Sequence, residues 1–232
     1  MKLILENIQK SFGSQKVLKG VHYTFEEGKI YGLLGRNGAG KTTLFKVLYD
    51  ELEAEEGHVY IEEDGARHPL KPSEVGMLFS EPILPEYLTG FEFTRFFMDV
   101  HGLDVTKAKD ELAKMDFSEA DQNKFIKDYS TGMKAKLSLM SLMLASPKVL
   151  LLDEPLTSLD VVMASKMKAL LREFRQGRIL IFSTHVMEVA RDLCEEIVLL
   201  RGGKTSHFVP KRDFEEELIR HLMEDEAEAV HA

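Results

Sequence analysis

Cysteine is nearly missing from this sequence of 232 residues: the single Cys194 excludes an internal disulfide framework, fits a reducing compartment, and reads as a small buried apolar residue. Basic charge is also in deficit. With 30 Lys and Arg against 39 Asp and Glu, the net charge is −9, so the electrostatic footprint of a nucleic-acid binder is absent and neither DNA nor RNA is expected as a partner. No long hydrophobic run occurs. The longest uncharged apolar stretch, Leu137 to Ala145, is broken by serines and falls far short of the roughly 20 residues that cross a bilayer. No secretory leader pattern precedes it, so any membrane work is expected to use another chain. Internal repeats and long linkers are lacking too. What remains is 44% hydrophobic residues, enough to fill one large domain.

Against that background one segment stands out: Gly35-Arg36-Asn37-Gly38-Ala39-Gly40-Lys41-Thr42, a complete G-x-x-x-x-G-K-T phosphate loop. The glycines allow backbone N–H groups from Gly35 through Thr43 to converge on phosphate oxygens. Lys41 then reaches the β and γ phosphates, and the Thr42 hydroxyl is placed to ligate Mg²⁺. The flanks agree. An apolar strand-like segment, 30–34, precedes the loop and a helical pattern, 43–49, follows, so a helix N-terminus adds its unpaired N–H groups to the anion site.

Strands are expected at 3–5, 17–25, 30–34 and 58–61, the first two joined by a polar turn at Gly13-Ser14-Gln15. From about Thr89 to Ala145 the periodicity turns helical, with Phe91, Phe93, Phe96, Phe97 and Met98 forming a crowded apolar face read as helix core. Val149-Leu-Leu-Leu152 has the composition of a strand buried on both sides of a parallel sheet. A helix over 161–175 leads to a second such strand, 178–183, giving a βαβ unit; a helix near 186–194 and strands near 196–200 and 204–208 follow. The expected fold is α/β: a phosphate-loop NTPase with a mixed, mainly parallel core sheet, an antiparallel β-rich N-terminal part and a helical insert. Residues 1–88 and 146–210 make the nucleotide-binding lobe, 89–145 the helical subdomain, and 211–232 an acidic amphipathic tail, all within one domain.

The buried strand ends in Asp153-Glu154, at the carboxyl edge where open α/β sheets bind ligands. Asp153 suits the Mg²⁺ that bridges the β and γ phosphates, and Glu154 suits the water that attacks; with Lys41 they supply the positioning and charge that phosphoryl transfer demands. His185 leaves the neighbouring strand at the same edge, within prospective reach of the γ phosphate or the water. Between these runs Tyr129-Ser-Thr-Gly-Met-Lys134, where Ser130 is suited to N-cap a helix whose first turn, with Gly132, offers N–H donors to an anion arriving from outside.

At this point the sequence resembles the ATP-binding subunit of ATP-binding cassette transporters over roughly residues 2–208, with its motifs in family order. The resemblance implies that Ser130, Thr131 and Gly132, standing where the family usually has L-S-G-G-Q, contact ATP held by the opposite subunit of a head-to-tail pair. It implies that Phe12 stacks on adenine, that Asp160 in Ser158-Leu159-Asp160 reaches the partner's site, and that His185 is a switch histidine. ATP, Mg²⁺, a homodimer or paired cassette ATPase, and a membrane-spanning permease are the implied companions, with the chain peripheral on the cytoplasmic face. The variant signature, the Tyr-Gly-Leu-Leu-Gly run at 31–35 and the segment 81–89 are most similar to ATPases of bacterial exporters of drugs, antibiotics and peptides.

Two departures matter. The family places a Gln after the strand Val75–Phe79, where it meets Mg²⁺ or the catalytic water; here stands Ser80, a shorter side chain, followed by Glu81 as a candidate substitute. Thr131 replaces a signature glycine. A nucleotide-gated switch with weak hydrolysis therefore stays open as an alternative. So does a soluble cassette ATPase unconnected with transport, although such proteins commonly carry two cassettes or a coiled coil. A phosphate-loop kinase would explain neither the signature nor Ser183-Thr184-His185.

Overall fold

The computed structural model describes residues 1–156, 159 and 161–208. In chain order its elements are β1 (Lys2–Phe12), β2 (Gln15–Glu26), β3 (Ile30–Leu34), α1 (Lys41–Leu48), β4 (Glu56–Glu63), β5 (Ala66–Pro69) and β6 (Val75–Leu78). The helical part holds α2 (Gly90–Val100), α3 (Ala108–Lys114), α4 (Glu119–Gln122) and α5 (Thr131–Ala145). After it come β7 (Val149–Asp153), α6 (Val161–Phe174), β8 (Ile179–Thr184), α7 (Met187–Leu193), β9 (Glu196–Arg201) and β10 (Lys204–Phe208).

Two sheets result. The antiparallel one runs β2-β1-β4-β5; the second runs β10-β9-β3-β8-β7-β6 and is parallel except where β10 turns back along β9. Every residue of β3, β7 and β8 is buried, which explains their unbroken apolar sequences: each strand lies inside the sheet and is covered on both faces. Alternation then divides them between two cores. Ile30, Leu150, Leu152, Leu180 and Phe182 face the helices, packing with Leu137, Met140 and Leu171. Tyr31, Leu33, Val149, Leu151 and Ile181 face the opposite way, against Leu44 and Phe45 of α1 and Leu3, Ile8 and Phe25 of the antiparallel sheet. Gly32 lets α7 lie close on β3, since a Cβ there would come within 2.7 Å of the Cys194 sulfur. Cys194 itself is buried and free, and burial pushes its thiol pKa up.

The region 89–145 is four helices rather than one run. Left-handed Gly102 (φ 67°) and Asp116 (φ 56°) mark the turns after α2 and α3. Its residues Leu112, Ile126 and Leu137 join the same apolar cluster as Leu150 and Phe182 of the lobe. The supposed single aromatic face of α2 needs correcting. The helix turns Thr94 and Met98, one turn apart, toward the interior, and Phe96, on the far side at 3.6 residues per turn, is 61% exposed. β5, Ala-Arg-His-Pro, has no apolar alternation to mark it as a strand, although Asp64 (φ 52°) and Gly65 (φ 77°) form the Asp-Gly turn that commonly joins hairpin strands. Among the described residues no helix is long and apolar enough to cross a membrane. Ser158, Asp160 and the segment 211–232 lie outside the described residues.

Candidate active site

Parallel order brings the carboxyl ends of β3, β7 and β8 side by side, and the loops leaving them build one site. The loop after β3 enters α1 through Gly40 at φ 101°, a conformation side chains resist; a Cβ there would also stand 2.9 Å from the Val17 side chain. α1 therefore starts at Lys41, two residues before the periodicity suggested, and it starts with no side-chain cap. Its first N–H groups meet no capping side chain and are open to an anion, while within the loop the Ala39 N–H donates to the Arg36 carbonyl at 3.0 Å. Gly35 is equally constrained, because a Cβ would meet the Leu200 carbonyl oxygen at 2.7 Å.

Lys41 is 7% exposed, and its Nζ donates to the carbonyls of Gly35 (2.7 Å) and Arg36 (3.3 Å). Burial lowers its pKa, and the carboxylates of Glu154 and Asp153 oppose that shift. The ammonium is thus held over the loop with two anionic side chains nearby. Thr42 Oγ1 donates to Asp153 Oδ2 at 3.1 Å. A hydroxyl beside a carboxylate is an all-oxygen donor pair of the kind Mg²⁺ takes when substrate phosphates and water complete its octahedron, so these residues fit that ion.

Asp153, 6% exposed, ends β7, and Glu154 follows it with φ 51°, a left-handed turn unusual for a residue with a side chain. That turn separates the two carboxylates, Asp153 reaching Thr42 and Glu154 reaching the loop after β8. There His185 Nδ1 lies 3.0 Å from Glu154 Oε1, and because an ionised carboxylate only accepts, Nδ1 carries the proton. Ser183, fully buried and two residues earlier on the same strand, donates to Asp153 Oδ1 at 2.5 Å and accepts from the Glu154 N–H at 3.1 Å. Sequence reasoning did not single out Ser183 as a site residue; its signal was a hydroxyl, next to that of Thr184, ending an otherwise apolar buried strand.

The remaining expected residues sit around this centre. Ser130 caps α5, accepting from the Met133 N–H at 3.2 Å, and Thr131 is exposed at the helix start. A Cβ on Gly132 would meet nothing closer than 3.9 Å, so this chain's own packing leaves room there. Ser80, Thr131, Glu154 and Leu159 line one small crevice, whereas Glu81 is exposed and is not among the residues lining it. Phe12, at the end of β1, is 50% exposed with the Lys10 ammonium 5.9 Å from its ring centre, and Asn37, Gly38 and Ala39 line an open hollow with Val17 and Leu200. Thr43 follows Thr42 in the first turn of α1.

Comparison with known proteins converges. The pattern of the family described as ABC transporter matches residues 18–157. An uncharacterised ABC transporter ATP-binding protein of Bacillus subtilis, YdbJ, is 32% identical over 209 residues, covering 87% of this chain and 67% of the relative. A probable sulfate/thiosulfate import ATP-binding protein, CysA, of Chlorella vulgaris is 33% identical over 210 residues, 88% of this chain and 89% of its own. In fold, the chain superposes on the ATP-binding subunit of an ABC transporter with TM-score 0.80 at 24% identity, covering 96% and 94% of the two chains. It also superposes on a dimeric ATP-binding cassette bound to ADP and phosphate, with TM-score 0.77 at 22% identity over 90% and 99%.

Proposed function

Because the chain belongs to the ABC transporter family, as an ATP-binding and ATP-hydrolysing subunit, we propose that two copies close head to tail on two Mg-ATP and drive a separate membrane permease. The observation that carries this reading is the convergence of Lys41, Thr42, Asp153, Glu154 and His185 at one edge of the sheet, facing a helix start that has no cap of its own.

Loop N–H groups from Gly35 to Thr43 and the Lys41 ammonium hold the β and γ phosphates, while exposed Phe12 offers a face for adenine. Thr42 and Asp153 would hold Mg²⁺, which when bound neutralises charge on the phosphate oxygens. Glu154 orients a water in line with the γ phosphorus and takes its proton as the new P–O bond forms and the bond to ADP breaks; His185 fixes the carboxylate for that task. The partner's Ser130, Thr131 and Gly132 add donors to the γ phosphate, so binding shifts the population toward the closed pair. Asp160 is assigned to the same interface. Ser80, too short to reach as a glutamine would, slows hydrolysis or makes it depend on the permease, and Glu81 is its candidate substitute. Ordinary turnover in isolation, unchanged in Ser80→Gln, contradicts this.

The permease docks, in this reading, at the groove of about 500 Å³ lined by Met77, Phe79, Ile83, Phe93 and Phe97, whose rim carries Ile83 at 81% exposure. The assembly lies on the cytoplasmic face of the membrane. Export of a drug, antibiotic or peptide is the proposed direction, resting on the variant signature and the segments 31–35 and 81–89. Import is the second reading, favoured by 33% identity to a protein named for sulfate/thiosulfate import. Co-purification from solubilised membranes tests the first half: a membrane chain supports transport, and a ribosome complex overturns it. Sedimentation of Glu154→Gln with Mg-ATP tests the second: a stable dimer is expected, and a monomer at saturation contradicts the model.

A further inference from the structure

We propose that Ser183 is a positioning residue that couples the metal-holding carboxylate to the base, fixing both through one hydroxyl. The geometry is specific. Ser183 is fully buried at the end of a strand whose other residues, apart from Thr184, are apolar. Its Oγ–H donates to Asp153 Oδ1 at 2.5 Å, and its lone pair accepts from the Glu154 N–H at 3.1 Å.

Each bond does separate work. A carboxylate at the end of a strand is free to rotate about its last torsion unless both oxygens are held. With Oδ1 tied to Ser183, Oδ2 is the oxygen presented to Thr42, 3.1 Å away, where the donor pair for Mg²⁺ forms. The second bond anchors the peptide N–H of a residue at φ 51°, a conformation that persists only where its surroundings determine it. That turn aims the Glu154 side chain at His185, itself carried by the same strand end two residues on. A valine or alanine at 183 would suit the apolar character of the strand, but would leave Asp153 Oδ1 and the Glu154 N–H without this buried partner. The arrangement is the carboxylate counterpart of an outer hydrogen bond orienting a metal ligand.

The inference rests on the reading of Asp153 as a metal ligand, and the test separates the two. Nucleotide affinity is measured by calorimetry with Mg²⁺ and again with EDTA in the unaltered chain, Ser183→Ala, Ser183→Thr and Asp153→Asn, alongside the melting temperature. In EDTA, Ser183→Ala should bind ADP within about twofold of the unaltered chain, since the phosphate loop and Lys41 are intact; the enhancement by Mg²⁺ should fall about 10–100-fold, as should kcat. Ser183→Thr, which keeps the hydroxyl, should recover most of that enhancement. An Asp153→Asn chain that loses the Mg²⁺ enhancement while Ser183→Ala keeps it overturns the role of Ser183 alone. If Asp153→Asn keeps it as well, the metal assignment falls and takes the inference with it. Equal loss of affinity with and without Mg²⁺ in Ser183→Ala shows a general packing role and also overturns the proposal.

Discussion

The two helix starts proposed to meet phosphate are finished differently. α1 begins at a left-handed glycine with no side-chain cap and a buried lysine, so its N–H groups have no intramolecular acceptor from a side chain. α5 begins at Ser130, whose hydroxyl already accepts one of its N–H groups. Neither carries an acidic residue in its first turn. By contrast α2 and α4, which have no proposed ligand, close on themselves with full capping boxes, Thr89 with Glu92 and Ser118 with Asp121. The difference fits a division of labour under the proposed reading: α1, open, would take the anion first, α5, half satisfied, would add a closing contact, and an acid in either first turn would repel the phosphate.

The largest expected effect lies beside α1. Glu154→Gln should lower hydrolysis by about 10²–10⁴-fold, the usual contribution of a positioned base, with the melting temperature little changed and ATP still bound. Steady-state rates with a binding isotherm check it, and a loss of less than tenfold would break the assignment. Next, Lys41→Ala should weaken ATP binding about 10–100-fold, the worth of one charge-assisted contact, whereas Ser130→Ala should leave binding to the isolated chain unchanged. Equal losses at the two helix starts would erase the contrast between them.

Met133→Glu sharpens the comparison, because it places a carboxylate three residues after the Ser130 cap and so completes a capping box like those of α2 and α4. The helix gains a cap at the expense of the partly buried Met133 packing, while ATP-driven dimerisation should drop at least about tenfold by like-charge repulsion with phosphate. Light scattering with Mg-ATP reads this; an unchanged dimer would mean that no phosphate comes near α5. Smaller still is a pH effect at α1. Burial holds the Lys41 pKa below its ordinary value, so the ammonium that phosphate needs is lost at lower pH than for a free lysine. ATP affinity should therefore fall as pH rises through that lowered value, before the ordinary lysine range, and titration of affinity against pH shows it. By linkage, the unfolded chain binds this proton more tightly, so Lys41 costs the empty fold stability at neutral pH and the cost fades as pH rises through the lowered value.

What the sequence revealed follows the same physics. Strands 30–34 and 149–153 were readable almost to the residue, because full burial on both faces leaves an uninterrupted apolar record. The first strand was read as three residues and is eleven, since β1 is broken by bulges and half exposed, which dilutes its alternation. The helical insert was located but not divided, because its turns depend on backbone conformations at Gly102 and Asp116 rather than on polarity. Lys41, Thr42, Asp153, Glu154 and His185 were all legible, each being a residue type with chemistry at a strand end or loop. Ser183 was not, for the role proposed for it rests on a hydrogen bond between neighbouring strands that no spacing along the chain encodes.

The central claim is that a phosphate bound at α1 of one copy is completed by α5 of another, and mixing tests it most directly. Lys41→Ala lacks the first half of the site and Met133→Glu the second, so each alone should be inactive as an ATPase. A mixture forms pairs in which the intact loop of the Met133→Glu chain meets the intact helix start of the Lys41→Ala chain, and hydrolysis should reappear in proportion to the mixed pairs. A mixture as inactive as its components, with mixed pairs shown to form, would place both halves of the site in a single chain and contradict the account.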